Sequence, residues 1–348
     1  MPNLVPPPET HLDEEALEAL TNLFARGTPA NTIRAYERDL AYITAWKAAA
    51  FGAELAWPEE EAVAMRFVLD HSRDLQGAAG EAARVARSLI GRGLRRSLDC
   101  PAASTLDRRI ASWRSFHRMR NLPSPFDAPL IREARARARR AMHRPAAPKS
   151  ANPITREILD EMCAATGPGL RGLRDRAILL LGWASGGRRR SEIANLKRED
   201  VDLGDFDRDG IVWLRLGETK TTRPGQTPKL VLKGRAARAV TAWIDAADIR
   251  DGALFRKIGK SGRPGRRGLS PAGIGQIVKR CLEQSGRGAD FASAHGLRSG
   301  FLTQAALDGA PLQAAMRLSL HKSAAQAQAY YGDVEIADNP AANLLDRS

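Results

Sequence analysis

His295-Gly-Leu-Arg298 is followed by His321 and, nine residues after that, by Tyr330 and Tyr331. A phenol can attack phosphorus, an imidazole can take its proton, and guanidinium groups can hold phosphate oxygens as charge builds on them. On a helix, His295 and Arg298 stand one turn apart and project to one side, where both can grip one phosphate. The pattern alone is weak, because about one His-x-x-Arg match arises by chance in a chain so rich in arginine. His117-Arg-Met-Arg120 is indeed a second match, so context must decide.

Upstream, Ala184-Ser-Gly-Gly-Arg188-Arg189-Arg190-Ser191-Glu192 puts a glycine break between two helical segments. An arginine there is presented at a helix junction, with Glu192 spaced to orient it; taken alone, a basic loop before a capped helix is the plainer reading. Lys220 lies in Gly217-Glu-Thr-Lys220-Thr-Thr-Arg223-Pro-Gly225, between two predicted strands. A lysine on a hairpin tip can reach into a groove and protonate a leaving alkoxide, although most exposed lysines do nothing of the kind. Ser323 and Gln326 make a capping-box pattern, so a short helix begins just after His321 and carries Tyr330 near its end. The other tyrosines, Tyr36 and Tyr42, fit an apolar helix stripe, which leaves Tyr330 or Tyr331 as a nucleophile.

Positioning such groups takes a sizeable scaffold, and 348 residues allow two domains with a core in each. Cys100, Cys163 and Cys281 are odd in number and far apart, which speaks against a zinc site or disulfide framework and suits a reducing cytoplasm. No apolar run approaches the roughly 20 residues of a membrane span. A cytoplasmic, DNA-associated protein with no membrane partner is expected. The net charge of +14 is the footprint of a nucleic-acid partner, and it is segregated. Residues 9–81 hold 14 acidic against 6 basic side chains, whereas 84–149 hold 17 basic against 4 acidic. The second segment would meet phosphates directly.

Along the chain, a Pro-rich opening reads as a disordered tail over residues 1–20. Ile33, Tyr36, Leu40, Ile43 and Trp46 recur at steps of three and four, a helix face with Asn31 as its N-cap. Further helices are expected at 59–73, 79–96, 102–120 and 127–142, making 21–143 an all-helical domain. Its Ile131 to Arg140 stretch carries Arg132, Arg135, Arg137, Arg139 and Arg140 beside one carboxylate, too few for neutralisation within the helix, so contact with a DNA backbone is expected. Residues 144–153, with three prolines, read as a linker. From 154 to 348, helices are expected at 154–165, 170–184, 234–247, 270–284, 296–308, 311–318 and 323–331. Strands at 210–216 and 229–232 should pair as a small antiparallel hairpin or sheet. The expected fold class is mainly α with a small antiparallel β-sheet: an all-helical N-terminal domain and a mixed α+β domain.

Arg189, Lys220, His295-x-x-Arg298, His321 and Tyr330 occur in an order and spacing that resembles the tyrosine recombinases, or phage integrase family. Residues 31–46 look like the start of that family's core-binding domain, and 150–348 like its catalytic domain. The resemblance selects Arg189 from Arg188 to Arg190, since the family's Arg-x-Ser-Glu wording fits it. It prefers Tyr330, nine residues after the second histidine, with Tyr331 as the alternative. It implies a site-specific DNA recombinase in which Tyr330 forms a 3′-phosphotyrosyl link. Arg189 and Arg298 hold the phosphate, His295 assists the tyrosine, Lys220 protonates the leaving oxygen, His321 donates to the phosphate, and Glu192 supports Arg189.

No cofactor, metal or ATP is implied. The implied partners are double-stranded DNA, clamped between the two domains, and a homo-tetramer on synapsed DNA formed from a free monomer or weak oligomer. The segment 332–348 resembles the family's tail, which docks onto a neighbouring protomer. Two rival readings are a type IB topoisomerase-like relaxation enzyme with a similar pocket and a non-catalytic DNA-binding regulator on the same scaffold.

Overall fold

A stripe of large apolar side chains repeating every three or four residues is hidden only when its helix packs against others. The computed structural model describes residues 13–142, 150–217, 228–259 and 261–337. These fall into two compact units, 1–146 and 147–348. The first is built from α1 (Glu14–Gly27), α2 (Ala30–Phe51), α3 (Glu61–Asp70), α4 (Glu81–Gly91), α5 (Ala103–Arg118) and α6 (Pro129–Ala141). Its core joins Ile43 and Trp46 of α2 to Phe67, Leu89, Ile110 and Trp113. Some of the buried polar groups are paired, Trp46 Nε1 donating to Asp70 at 3.1 Å and the Tyr42 hydroxyl lying 2.7 Å from His71 Nε2, whereas Trp113 Nε1 has no partner among the described residues.

Two expectations for this unit are corrected. The tail ends before residue 20, because Asp13 accepts from the Ala16 amide at 2.8 Å and starts α1, with Glu14 and Glu15 in the favourable first turn. Asn31 is not an N-cap; Pro29 holds that position, and Asn31 lies inside α2, where its side chain accepts from Arg34. The second His-x-x-Arg match is structural. His117 is fully buried, its Nδ1 3.0 Å from the Trp113 carbonyl and its Nε2 accepting from the Glu59 amide, while Arg120 covers the Trp57 ring at 3.8 Å.

The second unit contains α7 (Arg156–Ala164), α8 (Gly169–Ala184), α9 (Arg190–Asn195), β1 (Val201–Asp202), α10 (Phe206–Asp209), β2 (Ile211–Arg215), β3 (Lys229–Lys233) and α11 (Gly234–Ala246). After these come β4 (Arg256–Ile258), β5 (Pro264–Gly268), α12 (Pro271–Gln284), α13 (Gly296–Leu307), α14 (Leu312–Ser319) and α15 (Ala324–Ala337). The expected pairing of β2 with β3 is antiparallel, from Ile211 opposite Lys233 to Arg215 opposite Lys229, and β1 extends it to three strands. Val212, Leu214 and Leu232 bury one sheet face in the same core as Ile178, Leu181, Val240 and Trp243 of α8 and α11.

The antiparallel β4–β5 pair is not signalled by the sequence. Pro264-Gly-Arg-Arg-Gly268 lacks the apolar alternation that marks a strand. What fixes it is contact: Leu269 donates to the Phe255 carbonyl at 2.9 Å, and only a glycine at 268 clears Ala253. The molecule is thus mainly helical with small antiparallel sheets.

Candidate active site

α8 cannot run straight into α9, because Gly186 and Gly187 take φ of +93° and +71° and reverse the chain. Their missing side chains also allow close packing. A Cβ on Gly186 would stand 2.3 Å from the Leu318 backbone, and one on Gly187 would stand 2.2 Å from Arg298 Cα. The turn therefore brings the start of α9, the start of α13 and the end of α14 together. From the other side, the Ile154 amide donates to the Gly296 carbonyl at 2.9 Å, and Gly300 leaves no room for a Cβ beside the Ile154 carbonyl.

Four of the expected residues meet at this junction. His295 is the N-cap of α13, and its Nε2 lies 3.1 Å from the Tyr330 hydroxyl on α15. Arg298, one turn on and 3% exposed, donates through Nη1 to the Gly187 carbonyl at 3.1 Å and through Nε to His321 Nε2 at 3.2 Å. The His321 and Tyr330 ring centroids are 6.2 Å apart, which closes the cluster. His295 and Arg298 thus engage different partners within it.

Arg189 is the N-cap of α9, and its Nη1 lies 2.7 Å from Glu192 Oε1. The second Glu192 oxygen accepts from the Arg189 amide at 3.2 Å, so one carboxylate orients both ends of that residue. Lys220 lies outside the described residues, as do most of the 144–153 linker and residues 338–348 of the tail.

The two tyrosines separate sharply. Tyr331 is 3% exposed, packs with Phe301, Leu302 and Ala315, and donates to the Ala310 carbonyl at 3.1 Å. Tyr330 is half-buried and faces His295.

Positive charge dominates the junction. Burial, then Arg188 and Arg189, lowers Arg298 to about 10, which still leaves it charged at neutral pH. Burial, with Arg298, Arg189, Arg188 and His295 around it, pulls His321 down to about 4, so its ring is neutral. The Ser319 hydroxyl is 2.8 Å from His321 Nδ1. A neutral ring offers one donor and one acceptor; the Arg298 guanidinium, a donor only, reaches both Nε2 and Nδ1, at 3.2 and 3.1 Å, and the Ser319 hydroxyl can serve either role at Nδ1.

Sequence reasoning missed Arg188, which is fully buried and donates through Nη2 to the Leu318 carbonyl at 2.8 Å. Its place in a three-arginine run was the only signal, and a run does not say which member turns inward.

In the first unit, the basic helix α6 is less bare than its composition implies. Asp107 of α5 takes both Arg135 and Arg139, at 3.1 and 2.8 Å, while Glu133 takes Arg137 at 2.8 Å. The carboxylate that pairs two of them comes from another helix, which counting charges along α6 does not reveal. Among the described residues, Arg132 and Arg140 form no ion pair.

Residues 154–335 match the sequence model of the phage integrase family. An integrase/recombinase XerD homolog from Selenomonas ruminantium is 30% identical over 182 residues, which are 51% of this chain and 52% of that protein. The chain therefore matches about half the length of that relative. Among solved structures, the Tn1549 transposon integrase in complex with transposon right end DNA is 15% identical, with 92% of this chain and 96% of that one covered at a TM-score of 0.57. A lambda integrase dimer bound to a COC′ core site is 14% identical, with 90% and 93% covered at 0.53. At these identities the likeness is one of fold.

Proposed function

The chain belongs to the phage integrase family, and from that premise we propose that it is a site-specific DNA recombinase acting through a 3′-phosphotyrosyl intermediate. The observation that carries this reading is the 3.1 Å contact between Tyr330 Oη and His295 Nε2, beside two arginines and a neutral histidine. Tyr330 Oη attacks the scissile phosphorus and passes its proton to His295. The bond from phosphorus to the 5′ oxygen breaks, and that oxygen takes a proton from Lys220. A 5′-hydroxyl from another strand reverses the sequence and reseals the backbone, so the energy of the phosphodiester is kept.

Arg189 and Arg298 hold the non-bridging oxygens, where charge grows in the transition state. When a phosphate draws Arg298 away, His321 Nε2 is released. With its proton on Nε2 the ring then donates to the phosphate while Nδ1 accepts from Ser319, whose hydroxyl serves either tautomer. Glu192 fixes Arg189 from behind. The substrate is double-stranded DNA, and exchange between two duplexes takes a homo-tetramer assembled on them. Arg132 and Arg140, with the exchangeable surface pairs of Arg137 and Arg139 and the half-buried Arg135, supply backbone contacts. The tail from residue 332 docks onto a neighbouring protomer. The relatives solved with transposon or core-site DNA support a DNA substrate.

Nicked suicide duplexes tiling the DNA that flanks the gene test the chemistry. Wild type should accumulate a covalent protein–DNA complex, Tyr330→Phe should form none, and Tyr331→Phe should still form it. A wild type that forms no adduct on any duplex, or a Tyr330→Phe adduct at the wild-type level, would sink the assignment.

A further inference from the structure

Arg188 is an anomaly of the junction: its side chain is 1% exposed, yet Nε and Nη1 have no hydrogen-bond partner. Its charge is only loosely answered. Glu192 Oε2 stands 3.6 Å from Nη1, and that carboxylate is already bonded to the Arg189 side chain at 2.7 Å and to the Arg189 amide. One carboxylate therefore serves Arg188 and Arg189, with Arg298 close enough to feel both cations. A buried guanidinium with unmet donors is costly, and an apolar residue of similar volume is often as stable or more so. Its strong bond is to the Leu318 carbonyl, three residues before His321 and 130 residues along the chain from Arg188. Gly187, whose carbonyl accepts from Arg298, is its immediate neighbour.

We infer that Arg188 is a positioning residue that ties the His321 segment to the Arg189 segment and holds a cation behind the phosphate-binding face. It does not touch the phosphate. The junction's own side chains carry excess positive charge, which an anionic phosphate complements and a doubly charged phosphorane complements better. Burial keeps that charge from being screened by salt and solvent. Arg188 would thus favour the transition state through Arg189, Arg298 and His321, the groups that make contact.

This inference rests on the DNA-cleavage reading, and wild-type adduct formation tests that reading separately. The deciding measurement is the single-turnover rate of tyrosyl–DNA formation by Arg188→Lys, Arg188→Gln and Arg188→Met. Each is measured on an ordinary scissile phosphodiester and on a methylphosphonate, which carries one negative charge fewer. Lysine keeps the charge; glutamine keeps a donor for the Leu318 carbonyl but not the charge. The expected order is wild type, then Lys within about tenfold, then Gln and Met about a hundredfold slower. On the methylphosphonate the Gln and Met deficits should shrink by about tenfold or more, and Arg188→Met should melt no lower than wild type. Glutamine at or above the lysine rate, a deficit of equal size on both substrates, or loss of folding in all three variants overturns the inference, because Arg188 would then be only a structural tie.

Discussion

At the scale of single residues, adjacent positions on a helix point about 100° apart, so Tyr330 and Tyr331 cannot face the same way. The helix gives one to the junction and the other to the core. Histidines divide similarly between use and structure. His71 is fully buried, its Nδ1 2.7 Å from the Phe67 carbonyl and its Nε2 against the Tyr42 hydroxyl. Burial, with Arg109 and Arg95 nearby, lowers it to about 3 despite the carbonyl bond. In the unfolded chain it titrates near 6.5, so the unfolded state binds the extra proton and folding weakens as pH falls from there towards 3. The full contribution is present above about pH 6.5, and its slope is at most about 1.4 kcal/mol per pH unit. Urea unfolding followed from pH 7 to 4.5 should show this loss in the wild type and a shallower one in His71→Gln. Equal slopes would show that His71 is not the group responsible.

At the scale of elements, the Gly186-Gly187 turn decides whether three helix ends can meet. Gly187→Ala puts a methyl group 2.2 Å from Arg298 Cα at a φ of +71°, so α13 must shift. The expected result is a destabilisation of about 2 kcal/mol or more and at least a hundredfold loss of tyrosyl–DNA formation. Unchanged melting and cleavage would remove the turn from its organising role.

The β4–β5 hairpin offers a second test. From Arg256 to Gly268 the sequence holds six Lys or Arg and no carboxylate, and the exposed Lys257, Arg263, Arg266 and Arg267 form no ion pair among the described residues. If these cations meet DNA phosphates, replacing Arg263, Arg266 and Arg267 by Gln should flatten the dependence of log affinity on log salt by about 0.9 for each phosphate no longer neutralised. An unchanged slope would mean the hairpin stands clear of the duplex.

At the scale of the whole molecule, each unit has its own apolar core, one around Trp46 and Trp113, the other around α8, α11 and the sheet. Residues 147–348 expressed alone should therefore unfold cooperatively, with the three-stranded sheet intact by circular dichroism. A non-cooperative melt would show that the second unit depends on the first.

The sequence by itself determined the longer helices other than α1, and the β2–β3 pair, because apolar periods and turn residues are local signals. It also determined the order of Arg189, His295, Arg298, His321 and Tyr330, because chemistry names residue types. Only the tertiary structure decided which tyrosine faces His295, that Asp107 answers two arginines of α6, that β5 is a strand, and that Arg188 turns inward beneath Leu318. Each of those depends on contacts between residues far apart in the chain, where burial and pairing are set by packing rather than by any neighbour in sequence.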